Sequence, residues 1–226
     1  MSAINFIFLH GRGGSGKDTQ AELLAKKFPD AMRFSTGDMY RGVKSNSGEY
    51  SQFYPLIEPY IDYVDSGHFL PDNVILQMVN EVVDQKSAEG ISRFIFTGFP
   101  RTNEQLDAID EWTKSLKDTD REVQVNNICY AVLEQHARTR SEKRRQEYEE
   151  QKMPIRADDD PVAVENKLKS YRDLTLPMLK RLSSEGRLSI VKASGSIEQV
   201  FNRTLESLGY PPQSQEGAST RMFERR

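Results

Sequence analysis

Short apolar, β-branched or aromatic runs alternate with helix-patterned stretches along almost the whole chain, and this alternation leaves few folds open. The runs cover residues 5–10, 32–35, 93–97, 127–132 and 188–192. Between them, helical patterning covers 18–27, 72–86, 103–117, 134–151 and 161–184. Strands that are apolar at nearly every position and joined by helices belong in a parallel sheet covered on both faces. In the last helical stretch Val164, Leu168, Tyr171 and Leu179 recur at helical spacing, so one stripe of it is expected to be buried. The fold class that follows is α/β, a doubly wound core of five parallel strands.

A chain of 226 residues, 37% of them apolar, suits one full core with small inserts better than two independent domains. The formal net charge is -3, from 31 Lys+Arg against 34 Asp+Glu. Such a balance gives no global attraction to nucleic acid or anionic lipid, and no basic stripe with interleaved aromatics is present. Cys129 is the single cysteine, which excludes an internal disulfide framework and fits a reducing compartment. No apolar run approaches the ~20 residues of a membrane span. Ile4 to Leu9 follows the N-terminus without a basic segment and is too short for a signal peptide. The expectation is a cytoplasmic, soluble protein.

Two stretches exceed what a plain crossover needs. Residues 36–70 are rich in Tyr, Ser and Gly, and 141–160 are dense in charge with Pro154 among them. Both start near strand ends, where open α/β sheets place their ligands, so both read as mobile inserts over a site. Residues 1–208 form the expected single domain. The tail 209–226, with Pro211-Pro212 and polar residues after them, is expected to be disordered.

The first strand runs into Gly11-Arg12-Gly13-Gly14-Ser15-Gly16-Lys17-Asp18-Thr19 and then a helix. Glycines let successive backbone N–H groups turn inward around an anion, and the helix N-terminus adds partial positive charge. Lys17 is then placed to reach β- and γ-phosphates. The strict pattern G-x-x-x-x-G-K-[ST] is not met, because Asp18 holds the hydroxyl position and Thr19 comes one residue later. A ligand-free glycine turn could use the same glycines, but it would not need the lysine.

Two further clusters follow the next two strands: Ser35-Thr36-Gly37-Asp38-Met39-Tyr40-Arg41 and Gly98-Phe99-Pro100-Arg101-Thr102-Asn103-Glu104-Gln105. Singly, each could be a helix cap or a turn. Together with the glycine loop, with Arg156-Ala157-Asp158-Asp159 followed by Tyr171, Thr175 and Pro177, and with Val191 to Ser196, they resemble the adenylate kinase family of nucleoside monophosphate kinases. The resemblance covers residues 4–208. It implies a three-layer fold of the P-loop kinase type, with 36–70 as the monophosphate-binding insert and 141–160 as a lid of the short form. It also implies ATP and AMP as substrates and Mg2+ as cofactor; nothing in the sequence demands an oligomer, so a monomer is the default expectation.

The family's chemistry forms no covalent intermediate and needs alignment and neutralised charge. By resemblance, Gly11, Gly13, Gly14, Ser15, Gly16, Lys17, Asp18 and Thr19 hold the triphosphate. Arg41 and Arg101 grip the acceptor's phosphate, a bidentate task suited to a planar guanidinium. Thr36, Leu70, Gly98 and Gln105 complete the AMP site, where a Gln amide can read a purine's N1 and exocyclic amine. Arg140 matches the arginine that stacks on the donor adenine, with Arg138 as an alternative register, and Ser194 lies in the loop that completes the ATP site. Arg144 and Arg156 are directed at the transferring phosphates, with Asp158 and Asp159 fixing the lid. Lys143 and Arg145 read as a solvated helix face paired with nearby glutamates.

Three positions depart from the family pattern. Asp18 stands where Gly is usual, and Thr97 replaces the Asp that usually precedes Gly-Phe-Pro-Arg and orders waters around Mg2+. Lys167 replaces a second lid arginine, keeping charge but losing the fork. One reading is that the acid has moved, so that Asp18 supplies the Mg2+-directed carboxylate; the other is drift around a metal held by phosphates and water. Two alternatives to ATP:AMP transfer stay open. One is a kinase for a pyrimidine or deoxy monophosphate, against which Thr36 and Gln105 argue. The other is a weakly active pseudokinase, against which the many converging cations argue. His10, His68 and His136 have no ligand-like spacing, and they and Cys129 read as structural.

Overall fold

The computed structural model describes residues 3–45, 50–117, 122–152 and 160–212, with the side chains of Ala137, Ser141 and Arg144 excepted. Five strands form one sheet: β1 (Ile4–His10), β2 (Ala31–Ser35), β3 (Arg93–Thr97), β4 (Val123–Ala131) and β5 (Leu188–Lys192). Their order is β2-β3-β1-β4-β5, and every pairing is parallel. The order reverses at β1, so the crevice at its carboxyl end is a topological switch point.

Alternation along β1 explains the layers. Phe6 and Phe8 point to one face, where they pack with Phe94 and Phe96 of β3 and with Phe34, Phe99 and Trp112. That face is covered by α2 (Thr36–Lys44), α5 (Asp72–Ala88) and α6 (Asn103–Lys117). Ile7 and Leu9 point the other way, against α1 (Lys17–Lys27) and α10 (Ile197–Ser207). Each of these β1 side chains is essentially fully buried, the arrangement that drives a two-sided apolar strand inside the molecule.

Between α2 and α5 the chain makes two short helices, α3 (Tyr54–Ile57) and α4 (Ile61–Asp65), linked by single 3-10 turns. Phe53 and Ile57 anchor this insert to the aromatic core. After β4 come α7 (Glu134–Glu150) and α8 (Pro161–Ser170), then a π-turn (Tyr171–Thr175) and α9 (Leu176–Ser184). The helical stripe predicted over 161–184 therefore slips register once. Pro177 sits next to the slip and has no N–H to give the ladder, a common origin of such irregularities.

The fourth strand begins four residues before its predicted start. Its first half carries Gln124, Asn126 and Asn127, which break the apolar run, yet it pairs with β1 from Ile4 onward. Asn5 bridges there to Gln124 and Asn126 at 3.3 and 3.2 Å. Of the tail predicted from residue 209, residues 213–226 lie outside the described residues, and the described start is docked. Tyr210 N–H donates to the Leu205 carbonyl, and its ring lies 5.0 Å from that of Phe28. Residues 141–150, assigned above to the lid, continue α7, and the lid tip at 153–159 lies outside the described residues. Among the described residues no helix is long and apolar enough to cross a membrane.

Candidate phosphoryl-transfer site

The three motif loops leave the carboxyl ends of β1, β2 and β3 side by side. At the end of β1, α1 begins at Lys17 with Gly16 as its N-cap and no capping side chain. Its first-turn N–H groups are thus left for an anion, which the helix dipole also favours. The hydroxyl of Ser15, behind the loop, is buried without a partner. Gly11, Arg12, Gly13, Gly14, Lys17 and Asp18 line a cavity of about 380 Å³.

A second cavity of about 160 Å³ lies against the first and is lined by Thr36, Arg41, Leu70, Gly98, Arg101 and Gln105, among others. Thr36 Oγ1 donates to the Gly98 carbonyl at 3.1 Å. Gly98 has φ +78°, and a Cβ there would stand 2.5 Å from Thr36 Oγ1 and 2.6 Å from Arg101 Nη2. Only glycine brings these two side chains so near one strand end. Arg101 Nε donates to the Gly98 carbonyl at 2.6 Å, and its guanidinium lies 4.3 Å over the Phe69 ring, so its fork is aimed by both.

Six residues line both cavities: Gly37, Arg41, Phe69, Gly98, Arg101 and Lys167. Three of the six are cations, and Lys17 lines the larger cavity beside them. The chemistry of such a wall is that of binding two anionic groups end to end. Arg41 is also ion-paired with Asp38, which Arg33 holds as well.

Asp18 and Lys17 sit together, with Nζ 3.4 Å from a carboxylate oxygen. Burial pushes the Asp18 pKa upward, but the Lys17 charge, the Thr97 hydrogen bond and the Arg33 charge outweigh it, and the pKa falls from 3.8 to about 2. The acid is therefore ionised throughout the neutral range. An ionised carboxylate on the cavity wall is the hard oxygen donor that Mg2+ takes. Among the described residues no group of three or more His, Cys, Asp or Glu could hold a metal unaided. A magnesium ion that keeps phosphate oxygens and waters needs no such group, so the residues present fit it.

Not every predicted site residue lines a cavity wall. Thr19 and Gly16 are exposed and line neither cavity, as does Ser194, whose carbonyl is held by Arg203. Arg140 donates to the Gly14 carbonyl at 2.7 Å, on the outer wall of the glycine loop. Arg138 instead pairs with Glu134 and Glu165, which separates the two registers geometrically. The Arg144 side chain and Arg156, Asp158 and Asp159 lie outside the described residues. His10 is buried beside Asn127, its Nε2 3.0 Å from Oδ1, and burial lowers its pKa to about 4 despite opposing hydrogen bonds. Cys129 is half-buried in β4, and burial raises its thiol to about 11.

Some wall residues were given no role by the sequence reading. Arg12 lies 5.2 Å over the Tyr171 ring and 3.6 Å from Glu134. Thr175, on the π-turn, turns a buried, unpartnered hydroxyl toward the larger cavity. Phe69 and Arg33 were likewise unmarked, as single residues of common types outside any glycine or arginine motif.

Comparison with known proteins agrees with this geometry. The family model for adenylate kinase matches residues 9–187. A protein of Parabacteroides distasonis named adenylate kinase is 31% identical over 203 residues, covering 89% of this chain and 96% of its own. Namesakes from Corynebacterium diphtheriae and Mycobacteroides abscessus are 33% and 34% identical, each over 90% of this chain and 98% of theirs. With the glycine loop, the arginine wall and a match over about nine-tenths of the chain in hand, this chain belongs to the adenylate kinase family.

Proposed function

We propose that this chain transfers a phosphoryl group reversibly from ATP to AMP, giving two ADP. The observation that carries the reading is the pair of adjoining cavities with Arg41, Arg101 and Lys167 in both walls. The larger takes the triphosphate on the glycine loop, Gly11 to Thr19, with Lys17 as its central cation. The smaller takes AMP, with Thr36, Leu70, Gly98 and Gln105 around the base. Arg41 and Arg101 hold the acceptor phosphate, so its oxygen faces the γ-phosphorus in line, and the shared cations neutralise the charge that spreads as the group passes.

Mg2+ held beside Asp18 supplies further charge neutralisation when bound. Residues 36–70 act as the monophosphate-binding insert and 141–160 as a short lid, with Arg140, Arg144 and Arg156 on the donor side. Closure excludes water, which could otherwise take the phosphoryl group. One chain supplies both cavities, which accords with a monomer; the cytoplasm is the location we propose.

The test is a coupled assay with ATP, Mg2+ and each nucleoside monophosphate in turn. AMP is expected to be the preferred acceptor. Preference for a pyrimidine or deoxy monophosphate, or binding of nucleotides without turnover, would overturn the reading.

A further inference from the structure

Gln105 is almost completely buried at the start of α6, at 2% exposure, and both ends of its amide are spoken for. Its Oε1 accepts the Arg101 backbone N–H at 2.7 Å, and its Nε2 donates to Asp72 Oδ1 at 2.6 Å. The other Asp72 oxygen accepts the Thr102 hydroxyl at 2.9 Å, and that hydroxyl in turn accepts the Gln105 N–H at 3.1 Å. Asp72 opens α5 and so comes to this wall from a different element.

A primary amide can sit either way round with little change of shape, and the two ways present opposite chemistry. Here the partners choose. A backbone N–H can only donate and a carboxylate can only accept, so one orientation makes both bonds. The reverse sets N–H against N–H and oxygen against carboxylate inside a buried wall, where unmade bonds are most costly.

So oriented, Gln105 keeps one oxygen lone pair and one N–H for the cavity it lines. A 6-aminopurine offers a donor at N6 and an acceptor at N1, which match. A 6-oxopurine offers the reverse at the same two atoms. With the monophosphate clamped by Arg41 and Arg101, the oxopurine cannot slide to compensate. We propose that Asp72 is a specificity-determining positioning residue: by fixing the sense of the Gln105 amide, it makes the acceptor site select a 6-aminopurine over a 6-oxopurine monophosphate. The proposal rests on the reading of the smaller cavity as the acceptor site.

The experiment compares kcat/KM for AMP and IMP in the wild-type enzyme and in Asp72→Asn. An asparagine can give or take a hydrogen bond, so the carboxylate's constraint on Gln105 is lifted and only the Arg101 N–H still opposes the reverse orientation. The AMP/IMP ratio is expected to fall by about tenfold or more, through KM for the two acceptors rather than kcat. A structural weakening would lower both activities together and leave the ratio alone. In a Gln105→Ala background the Asp72→Asn change is expected to leave the ratio within about twofold. If Asp72→Asn does not fold, Asp72→Ser, whose hydroxyl also works both ways, is read by the same ratio. A ratio within about twofold of wild type in the single variant, or a shift that persists without Gln105, overturns the proposal. A wild-type enzyme unable to phosphorylate AMP would instead overturn the functional reading beneath it.

Discussion

Thr97 Oγ1, at the end of β3, donates to Asp18 Oδ1, on the first turn of α1, at 2.7 Å. Two of the three departures from the family pattern, 79 residues apart in sequence, are thus one contact in space. The carboxylate that is missing from the strand end reappears on the glycine-loop helix, pointing back at the residue that replaced it. Lys17 and Arg33 keep it ionised, and the hydroxyl orients it.

Removing that acid by Asp18→Gly is expected to raise the Mg2+ concentration for half-maximal turnover by about tenfold or more. Adding Thr97→Asp to the same chain is expected to restore most of the loss. Mn2+ titration of the enzyme–ATP complex by electron paramagnetic resonance reads the same affinity without turnover. Unchanged metal affinity in Asp18→Gly would dispose of the relocated-acid idea.

Arg101 offers the sharpest magnitude. Its fork is aimed by the Gly98 carbonyl and the Phe69 ring, contacts that a lysine ammonium cannot reproduce together. Arg101→Lys is expected to lose about 2 kcal/mol of transition-state stabilisation, a fall of about thirtyfold in kcat/KM for AMP. Steady-state kinetics at saturating ATP measures it, and a change under about threefold would count against a phosphate-gripping role.

His10 predicts a pH dependence of stability. Its folded pKa is lowered from 6.5 to about 4, because burial disfavours the charged ring more than its hydrogen bonds favour it. Between those values the unfolded chain binds a proton that the folded chain refuses, so stability rises with pH through that window. The contribution is complete above about pH 6.5 and amounts to about 3 kcal/mol lost by pH 4. Denaturant unfolding of wild type and His10→Asn at pH 7 and pH 4.5 isolates it. Equal losses in the two proteins on acidification would remove His10 as the cause.

How much of this was legible in the sequence follows from what each feature asks of a residue type. A parallel strand buried on both faces must be apolar at every position, so Phe6 to Leu9 announced itself, as did Phe94 to Phe96. The front half of β4 did not, because Gln124 and Asn126 meet Asn5 with their amides rather than with apolar surface. Glycine, lysine and arginine at strand ends are chemically demanding and stood out. Asp72 did not, since an acid at a helix start already satisfies the dipole, and its hold on Gln105 exists only once two helices meet. The π-turn was hidden for a related reason: a one-residue slip leaves the apolar stripe nearly in phase.

The insert meets the far side of the site at Gly67. This residue has φ +96°, and a Cβ there would lie 2.3 Å from the Ala163 carbonyl oxygen of α8. Beside it, Asn166 Nδ2 donates to the Ser66 carbonyl at 2.7 Å. The obstacle is backbone on one side and a left-handed conformation on the other, so a side chain cannot be absorbed by a rotamer change. Gly67→Ala is therefore expected to push residues 66–69 away from α8 and to carry His68 and Phe69 off the wall of the smaller cavity. Calorimetric titration is expected to show AMP affinity weakened by about tenfold while ATP affinity stays within about twofold. Asn166→Ala, which removes one hydrogen bond and leaves the close approach intact, is expected to have the smaller effect on AMP, about threefold. Equal loss of both nucleotides in Gly67→Ala would show that this contact supports the whole fold rather than the acceptor side alone.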